Sequence, residues 1–350
     1  MQASDFERRG SMDSIFERTK HTLLAVAYGD AMGMPTENYT RKGIARQFGR
    51  VTTFLPSPVD EAAIYRRLAA GEVTDDTQHT VFVCESLLLG HGRVQAKDFV
   101  QRLMRWLEHD DKSQYVVGPS TVRALKAIES GVSITEAGAT GTTNGAAMKI
   151  APIGLVHSYL DLEDMVQQVA EICMPTHNTQ IAIQGASVIA ATVSYCFDHP
   201  VIDWDELYEL IRQAAAAAEA FGVPRPGPDL MARIHFGWRL AQEENEDRFL
   251  DCLYSFMGTG MQTIETVPAV LAIVRKCSGK LKPCVHIAAN IGGDTDTIGA
   301  ICGAICGANH FDLAQVDQQT LIAANDIDFD DLARRMAELI KETRKASHAS

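Results

Sequence analysis

Gly292-Gly293-Asp294-Thr295-Asp296-Thr297 runs directly into the apolar segment IGAICGAICGA at residues 298–308 and is the most informative part of the sequence for the architecture. A glycine or alanine recurs every four residues in this segment, which is the spacing of one face of an α-helix. A face of such small side chains lets a second helix backbone approach closely. We therefore expect a tightly packed helix that begins with two carboxylates.

The first turn of this helix also has the composition of a metal site. Two carboxylates and two hydroxyls are hard oxygen donors of the kind that Mg²⁺ and Mn²⁺ prefer. The positive end of the helix dipole favours ionised carboxylates, which metal binding requires. An ordinary Asp/Thr cap explains a single acidic start of this kind equally well.

A second acidic start favours the metal interpretation. Thr74-Asp75-Asp76-Thr77 precedes an apolar helix, and two adjacent aspartates exceed what a helix cap needs. If both starts face each other, four carboxylates share a small volume that is untenable without divalent cations, and two ions about 3.5–4 Å apart would suit it. Distant placement of the two starts, or lysine and arginine filling the gap between them, would end this interpretation.

The remaining apolar periodicity is helical, and clear alternating strands are absent from the pattern. A first helix from Asp13 is expected to end at a turn from Gly29 to Pro35. Further predicted helices span 78–90, 97–108, 120–130, 161–173, 180–196, 205–220, 229–244, 247–256, 267–276, 297–308 and 328–345. Residues 221–228 are predicted to form an ordered loop between helices. One compact all-α domain is the simplest architecture.

The N-terminal residues are set apart from this domain. Gly10-Ser11-Met12 resembles a cloning junction, so residues 1–11 are expected to be an expression-tag remnant or a disordered N-terminus. The all-α domain is expected to span residues 12–345.

Composition limits the classes of partner. The net charge of -13 disfavours a general nucleic-acid binder. The sequence contains no run of about 18 uncharged apolar residues, so we expect no membrane span. The eight cysteines form no CxxC pair, which favours reduced thiols and a cytoplasmic setting.

Three further segments carry weaker signals. Glu37 follows a glycine- and proline-rich turn, where it is either mobile or simply a solvated carboxylate. The segment 140–149 has the glycines and hydroxyls of a loop whose amides wrap a diphosphate, although an ordinary helix entry has the same composition. His177 is expected at the positive start of the helix from Thr179, as a neutral ligand contact or as a cap. Asp30 lies near a helix end and is expected to have a buried donor partner.

Together these segments resemble the ADP-ribosylglycohydrolase family, also called the ADP-ribosyl-acceptor hydrolases. The resemblance extends from about residue 19 to about residue 345. It rests on five motifs in order along the chain: GDAMGMPTE (29–37), TDDTQHT (74–80), TNGAAMKIAPIG (143–154), THNTQIAIQGA (176–186) and NIGGDTDTIGAICGAICGA (290–308).

The resemblance implies an all-α domain with two Mg²⁺ or Mn²⁺ ions at the base of a cleft. The implied metal ligands are Thr74, Asp75, Asp76, Asp294, Asp296 and Thr297. The implied catalytic residues are Glu37, Asp76 and Asp296, and Glu37 matches a mobile glutamate that in some members also meets the metal. The implied substrate contacts are Thr142, Thr143, Asn144, Gly145 and His177.

Two departures from the family pattern concern the substrate. Lys149 stands where many members have arginine, which removes a bidentate contact. Thr142-Thr143 stands where some members carry a stacking aromatic residue. Tyr115 is the candidate for an aromatic wall instead, and a packing role is the alternative.

The expected function is metal-dependent hydrolysis that releases ADP-ribose, or a related ribosyl molecule, from a modified protein side chain or a small acceptor. The alternative enzyme is an N-ribosyl hydrolase of a nucleoside or small ribosyl metabolite. The alternative from another class is a crystallin-like relative that keeps the fold without the chemistry.

Overall fold

The computed structural model describes residues 2–59 and 66–347, with side-chain surroundings for residues 14–59 and 66–345. Within the described ranges the chain forms eighteen α-helices and no strand longer than an isolated bridge. The first nine are α1 (Gln2–Gly33), α2 (Arg41–Gln47), α3 (Asp75–Leu89), α4 (Ala96–His109), α5 (Ser113–Val116), α6 (Pro119–Glu129), α7 (Ile134–Ala137), α8 (Ala151–Val156) and α9 (Leu162–His177). The others are α10 (Gln180–Asp198), α11 (Trp204–Ala217), α12 (Leu230–Leu240), α13 (Glu246–Cys252), α14 (Thr263–Lys276), α15 (Leu281–Ile291), α16 (Thr295–Asn309), α17 (Gln315–Ala324) and α18 (Phe329–Ser347). The predicted all-α fold is confirmed.

The small-residue helix α16 packs directly on α1. A Cβ atom added to Gly299 would lie 2.2 Å from the carbonyl oxygen of Gly29, and one added to Gly303 would lie 2.0 Å from that of Ala25. Because only glycine fits at these distances, the two helix backbones are in direct contact. α16 is buried from Thr295 to Ala308, so it forms the centre of the core.

The first helix continues past the predicted turn. α1 reaches Gly33 and is followed by a 3₁₀ turn at Met34–Thr36. Gly29 therefore lies inside the helix, where its missing side chain admits α16 rather than ending the helix. The prediction of a turn starting at Gly29 was wrong because glycine here serves packing and not chain reversal.

A second core helix, α10, lies beside α8, α9, α11, α14 and α16. Among the described helices it is the one long and apolar enough to cross a membrane, but 83% of its most apolar window is buried inside the protein. Its apolar surface is thus used by the core of this fold.

Other differences from the predicted helices come from weak apolar patterns. α15 was missed because Lys280, Lys282 and Pro283 interrupt its start, and α17 was missed because little of it is buried. The predicted loop at 221–228 is ordered at its start. The N–H of Val223 donates to the carbonyl of Asn178 at 2.9 Å, and the N–H of Gln180 donates to the carbonyl of Val223 at 3.0 Å.

Replacing Gly303 tests the contact between α1 and α16. We expect Gly303→Ala to lower the free energy of unfolding by about 1–3 kcal/mol, because the added methyl group overpacks the helix interface. The control is Gly227→Ala, since Gly227 has no neighbouring atom within 4 Å of an added Cβ. Urea denaturation of both variants measures the difference, and equal stabilities would contradict the close packing.

Candidate functional site

The two acidic helix starts meet. The hydroxyl of Thr297 donates to Oδ2 of Asp76 at 3.3 Å, across 221 residues of sequence. Carboxylate oxygens of Asp294, Asp296 and Glu37 lie within 4.8 Å of one another, a spacing that could hold a metal ion. The predicted convergence of the starts of α3 and α16 is therefore present in the structure.

The site is a buried acidic cluster. Six carboxylates belong to it, each at most 7% exposed: Asp30, Glu37, Asp75, Asp76, Asp294 and Asp296. Oδ1 of Asp76 is completely buried and has no hydrogen-bond partner among the described residues. An unpaired buried oxygen of this kind is costly unless a cation or water binds it.

The charge of the cluster is electrostatically unfavourable. Burial raises the pKa of Asp76 and of Asp294 well above the usual range, and the neighbouring carboxylates raise it further. Burial likewise raises the pKa of Asp75 and of Asp30 to about 7. Divalent cations would offset this repulsion, so the donor set and its electrostatics both fit metal binding.

Asp30 joins α1 to the start of α3. Its carboxylate accepts the hydroxyl of Thr77 at 2.6 Å and the hydroxyl of Thr74 at 2.9 Å. It also accepts the backbone N–H groups of Thr74 and Thr77, at 3.0 Å and 3.1 Å. The expected buried donors of Asp30 are thus the residues that begin α3.

The same end of α1 also holds the start of α16. The hydroxyl of Thr295 donates to the carbonyl of Gly33 at 2.8 Å, and the hydroxyl of Thr36 lies 3.1 Å from that of Thr295. Gly292 and Gly293 both have positive φ, near +85°, and turn the chain so that the N–H of Asp294 donates to the carbonyl of Thr259 at 2.7 Å. One helix end therefore positions both acidic starts.

Glu37 is buried rather than solvated. It ends the 3₁₀ turn after α1 and forms an ion pair with Arg66. Arg66 is itself buried and lies 3.7 Å from Oδ2 of Asp296. Sequence reasoning missed Arg66 because nothing in the run Tyr65-Arg66-Arg67-Leu68 distinguishes it from a surface arginine. Arg66 adds one positive charge beside six carboxylates, so the cluster stays strongly acidic.

A cleft of about 390 Å³ opens onto this cluster. Its base holds Asp75, Asp76, Asp294, Asp296 and Thr297. Its walls include Tyr115, Thr143, Asn144, Gly145 and His177 from the predicted substrate set. Further walls that the sequence did not indicate come from Gly118, Ser120, Thr121 and Met261. The cleft is in the size range of small-molecule sites.

Two predicted residues are outside the cleft lining. The hydroxyl of Thr74 donates to Asp30 at 2.9 Å and accepts the backbone N–H of Asp76, which caps α3. The hydroxyl of Thr142 donates to Gln262 at 3.0 Å and lines a neighbouring groove. Both side chains therefore bond to neighbouring residues and do not line the cleft.

Asn144 ties the predicted substrate loop to the acidic cluster. Its side-chain amide donates to Oδ2 of Asp294 and, at 2.8 Å, to the hydroxyl of Thr266. Lys149, five residues later, is buried and donates to the carbonyl of Gly145 at 2.5 Å. Lys149 therefore orders the loop backbone and does not line the cleft.

His177 is the last residue of α9 and not the start of α10, so its predicted position was wrong. The chain needs two further residues, Asn178 and the cap Thr179, before α10 begins. Nε2 of His177 lies 2.8 Å from the hydroxyl of Thr143. Burial lowers the pKa of His177 well below its usual value, and the nearby Lys149 lowers it further. The imidazole is thus neutral, as expected, but burial and not a helix dipole is the main cause.

Comparisons with known proteins agree on one family. A family model described as ADP-ribosylglycohydrolase matches residues 11–346. The uncharacterized protein YegU of Escherichia coli K12 is 33% identical over 328 residues, covering 92% of this chain and 97% of that protein. The ADP-ribosyl dinitrogen reductase glycohydrolase of Rhodospirillum rubrum is 25% identical over 303 residues, covering 85% of this chain and 87% of that protein.

A solved structure has the same fold. An ADP-ribosylglycohydrolase-related protein complex superposes with a TM-score of 0.68 at 22% sequence identity, covering 93% of this chain and 99% of the other. At this identity the likeness concerns the fold alone.

Replacing Thr77 tests the support of the acidic cluster without any ligand. We expect Thr77→Val to lower the free energy of unfolding by about 1.5–3 kcal/mol, because a buried hydrogen bond to the Asp30 carboxylate is lost. The matched control is Thr192→Val, since the buried hydroxyl of Thr192 donates only to the helix carbonyl of Val188. Denaturant unfolding in metal-free buffer measures the free energy of unfolding of both variants. If Thr77→Val loses no more stability than Thr192→Val, the role of Asp30 is contradicted.

Proposed function

The chain belongs to the ADP-ribosylglycohydrolase family, whose members hydrolyse glycosidic bonds. We propose that it uses divalent cations to cut the bond between an ADP-ribosyl group and its acceptor. The observation that carries the proposal is the 3.3 Å contact between Thr297 and Asp76, which unites the two acidic helix starts. A single acidic cap would support no such centre.

Two Mg²⁺ or Mn²⁺ ions are the proposed cofactors. The proposed ligands are the sequence-predicted set: Thr74, Asp75, Asp76, Asp294, Asp296 and Thr297. The support is the oxygen-only donor set, the unpaired Oδ1 of Asp76 and the like-charge repulsion within the cluster. Thr74 has the weakest support of the six, because its hydroxyl already faces Asp30.

The residues of this chain have distinct proposed roles in hydrolysis. Cations bound at the cluster would supply positive charge beside the anomeric carbon and the ribose hydroxyls. Glu37 or Asp76, which both line the cleft, takes the proton of the attacking water as general base or passes that proton to the leaving acceptor. Asp296, as a proposed ligand, would hold the cations beside that general base.

The loop 142–145 is the proposed binding element for the phosphates. Asn144 and Gly145 line the cleft wall, and the Lys149 ammonium donates to the Gly145 carbonyl. Neutral His177 orients the hydroxyl of Thr143 toward the same wall. The loop is therefore preorganised for a polar ligand.

An ADP-ribosylated protein or a small ADP-ribosyl compound is the proposed substrate, with no nucleic-acid or membrane partner. A cytoplasmic setting is proposed because all eight cysteines are free thiols, six of them buried.

The competing N-ribosyl hydrolase activity is favoured by one observation. The loop carries Thr142 and Thr143 where an aromatic residue would seat adenine.

Replacing Asp296 tests the proposed chemistry. We expect Asp296→Ala to lower turnover of ADP-ribosyl-arginine or ADP-ribosyl-serine peptide by at least about 100-fold, because the cationic centre loses a ligand. Addition of Mn²⁺ should raise the Tm of the wild type and not that of the variant. The control is Asp326→Ala, which removes the same charge from an exposed position.

The substrate panel also separates the alternatives. Activity on free nucleosides alone would favour the N-ribosyl hydrolase, and Mn²⁺-dependent stabilisation with no hydrolysis of any substrate would favour the crystallin-like relative. Full activity of Asp296→Ala after chelation of all metal would contradict the proposed mechanism.

Replacing Tyr115 tests whether adenine has a stacking surface. Tyr115 lines the cleft, and the guanidinium of Arg67 lies 4.7 Å from the centre of its ring. We expect Tyr115→Ala to raise KM for the ADP-ribosyl substrate by about 5–150-fold with little change in kcat, because base stacking on an aromatic ring contributes about 1–3 kcal/mol. Tyr115→Phe keeps the ring and should retain the wild-type KM. An unchanged KM in Tyr115→Ala would instead assign Tyr115 a packing role.

A further inference from the structure

Arg66 is a positive charge inside the acidic cleft that no part of the proposed chemistry uses. Its guanidinium pairs with Glu37 through one nitrogen, and the same nitrogen lies 3.7 Å from Oδ2 of Asp296. The other terminal nitrogen donates to the carbonyls of Tyr115 and Val116, at 3.2 Å and 3.4 Å. Arg66 thus links the acidic base of the cleft to one of its walls.

Arg66 contacts carboxylates that would hold a metal ion. Among the residues that the structure describes, Glu37, Asp294 and Asp296 have carboxylate oxygens close enough together to hold an ion. Two of these three, Glu37 and Asp296, are the carboxylates that Arg66 contacts. A divalent cation held by these carboxylates would be repelled by the guanidinium and would compete with it for the same oxygens.

The burial of Arg66 makes this competition strong. Its side chain is only 8% exposed, and that of Glu37 only 6% exposed, so water screens the pair weakly. Arg66 is the cationic partner that makes a buried Glu37 tolerable. A divalent cation bound by the three carboxylates would make that partnership redundant.

We propose that Arg66 is a built-in counter-ion that occupies the Glu37 side of the cluster until a divalent cation displaces it. Arg66 would then set the affinity of this position for metal. It is a positioning residue, since it acts through Glu37. The inference rests on the proposed metal centre and adds a competitor to it.

The test is Mn²⁺ binding to the full-length protein by isothermal titration calorimetry, with free Mn²⁺ followed by electron paramagnetic resonance. Removal of the competing charge in Arg66→Met should strengthen Mn²⁺ binding by at least about tenfold. The matched control is Arg67→Met, which removes the same charge from the adjacent, exposed residue and should change the affinity by less than about threefold. If Arg66→Met does not fold, Arg66→Gln replaces it, because it removes the charge and keeps a donor for the wall carbonyls.

A double-mutant cycle identifies Glu37 as the contested ligand. In a Glu37→Gln background the gain from Arg66→Met should be clearly smaller than in the wild type, because the competition for Glu37 no longer exists and only that for Asp296 remains. An undiminished gain would show a general charge effect and overturn the proposal. If the wild type binds Mn²⁺ and Arg66→Met binds it with the same or a weaker affinity, the role of Arg66 would also be overturned, while the metal centre would stand. Absence of Mn²⁺ binding in the wild type and in Arg66→Met would instead overturn both the metal centre and the role of Arg66.

Discussion

Burial of like charges is the constraint on which the rest of this structure depends. Six carboxylates lie together in the interior, and burial raises the pKa of four of them. Only a rigid support can hold such a cluster, and the end of α1 supplies it. Asp30 accepts the hydroxyls that begin α3, and Gly33 accepts the hydroxyl of Thr295 that begins α16. Glycine contacts between α1 and α16 fix the distance between those two starts.

The parts of this arrangement that could be predicted are those with a local signature. Two adjacent aspartates at a helix start and small residues every fourth position are visible in the chain itself, so the acidic starts and the packing of α16 were correctly predicted. The donors of Asp30 were expected, although their identity was not. These features depend on neighbours along one helix, which is where sequence patterns carry information.

The parts that could not be predicted depend on contacts between distant segments. Arg66 has no distinguishing neighbours, and only the fold brings it to Glu37. Thr142 belongs to the same loop as Thr143, yet it faces the adjacent groove because its hydroxyl bonds to Gln262, which is 120 residues away. His177 was assigned to the wrong helix because α9 continues through Pro175, a residue that ordinarily ends helices. Tertiary packing decided each of these cases.

The most direct measurement is the anomalous diffraction of a crystal grown with saturating Mn²⁺, because it locates the ions relative to both acidic starts. Manganese peaks bound at once by Asp76 of α3 and by Asp294 or Asp296 of α16 are the expected result, with Arg66 withdrawn from Glu37. Manganese absent from this volume, with the guanidinium of Arg66 still between Glu37 and Asp296, would contradict a shared metal centre.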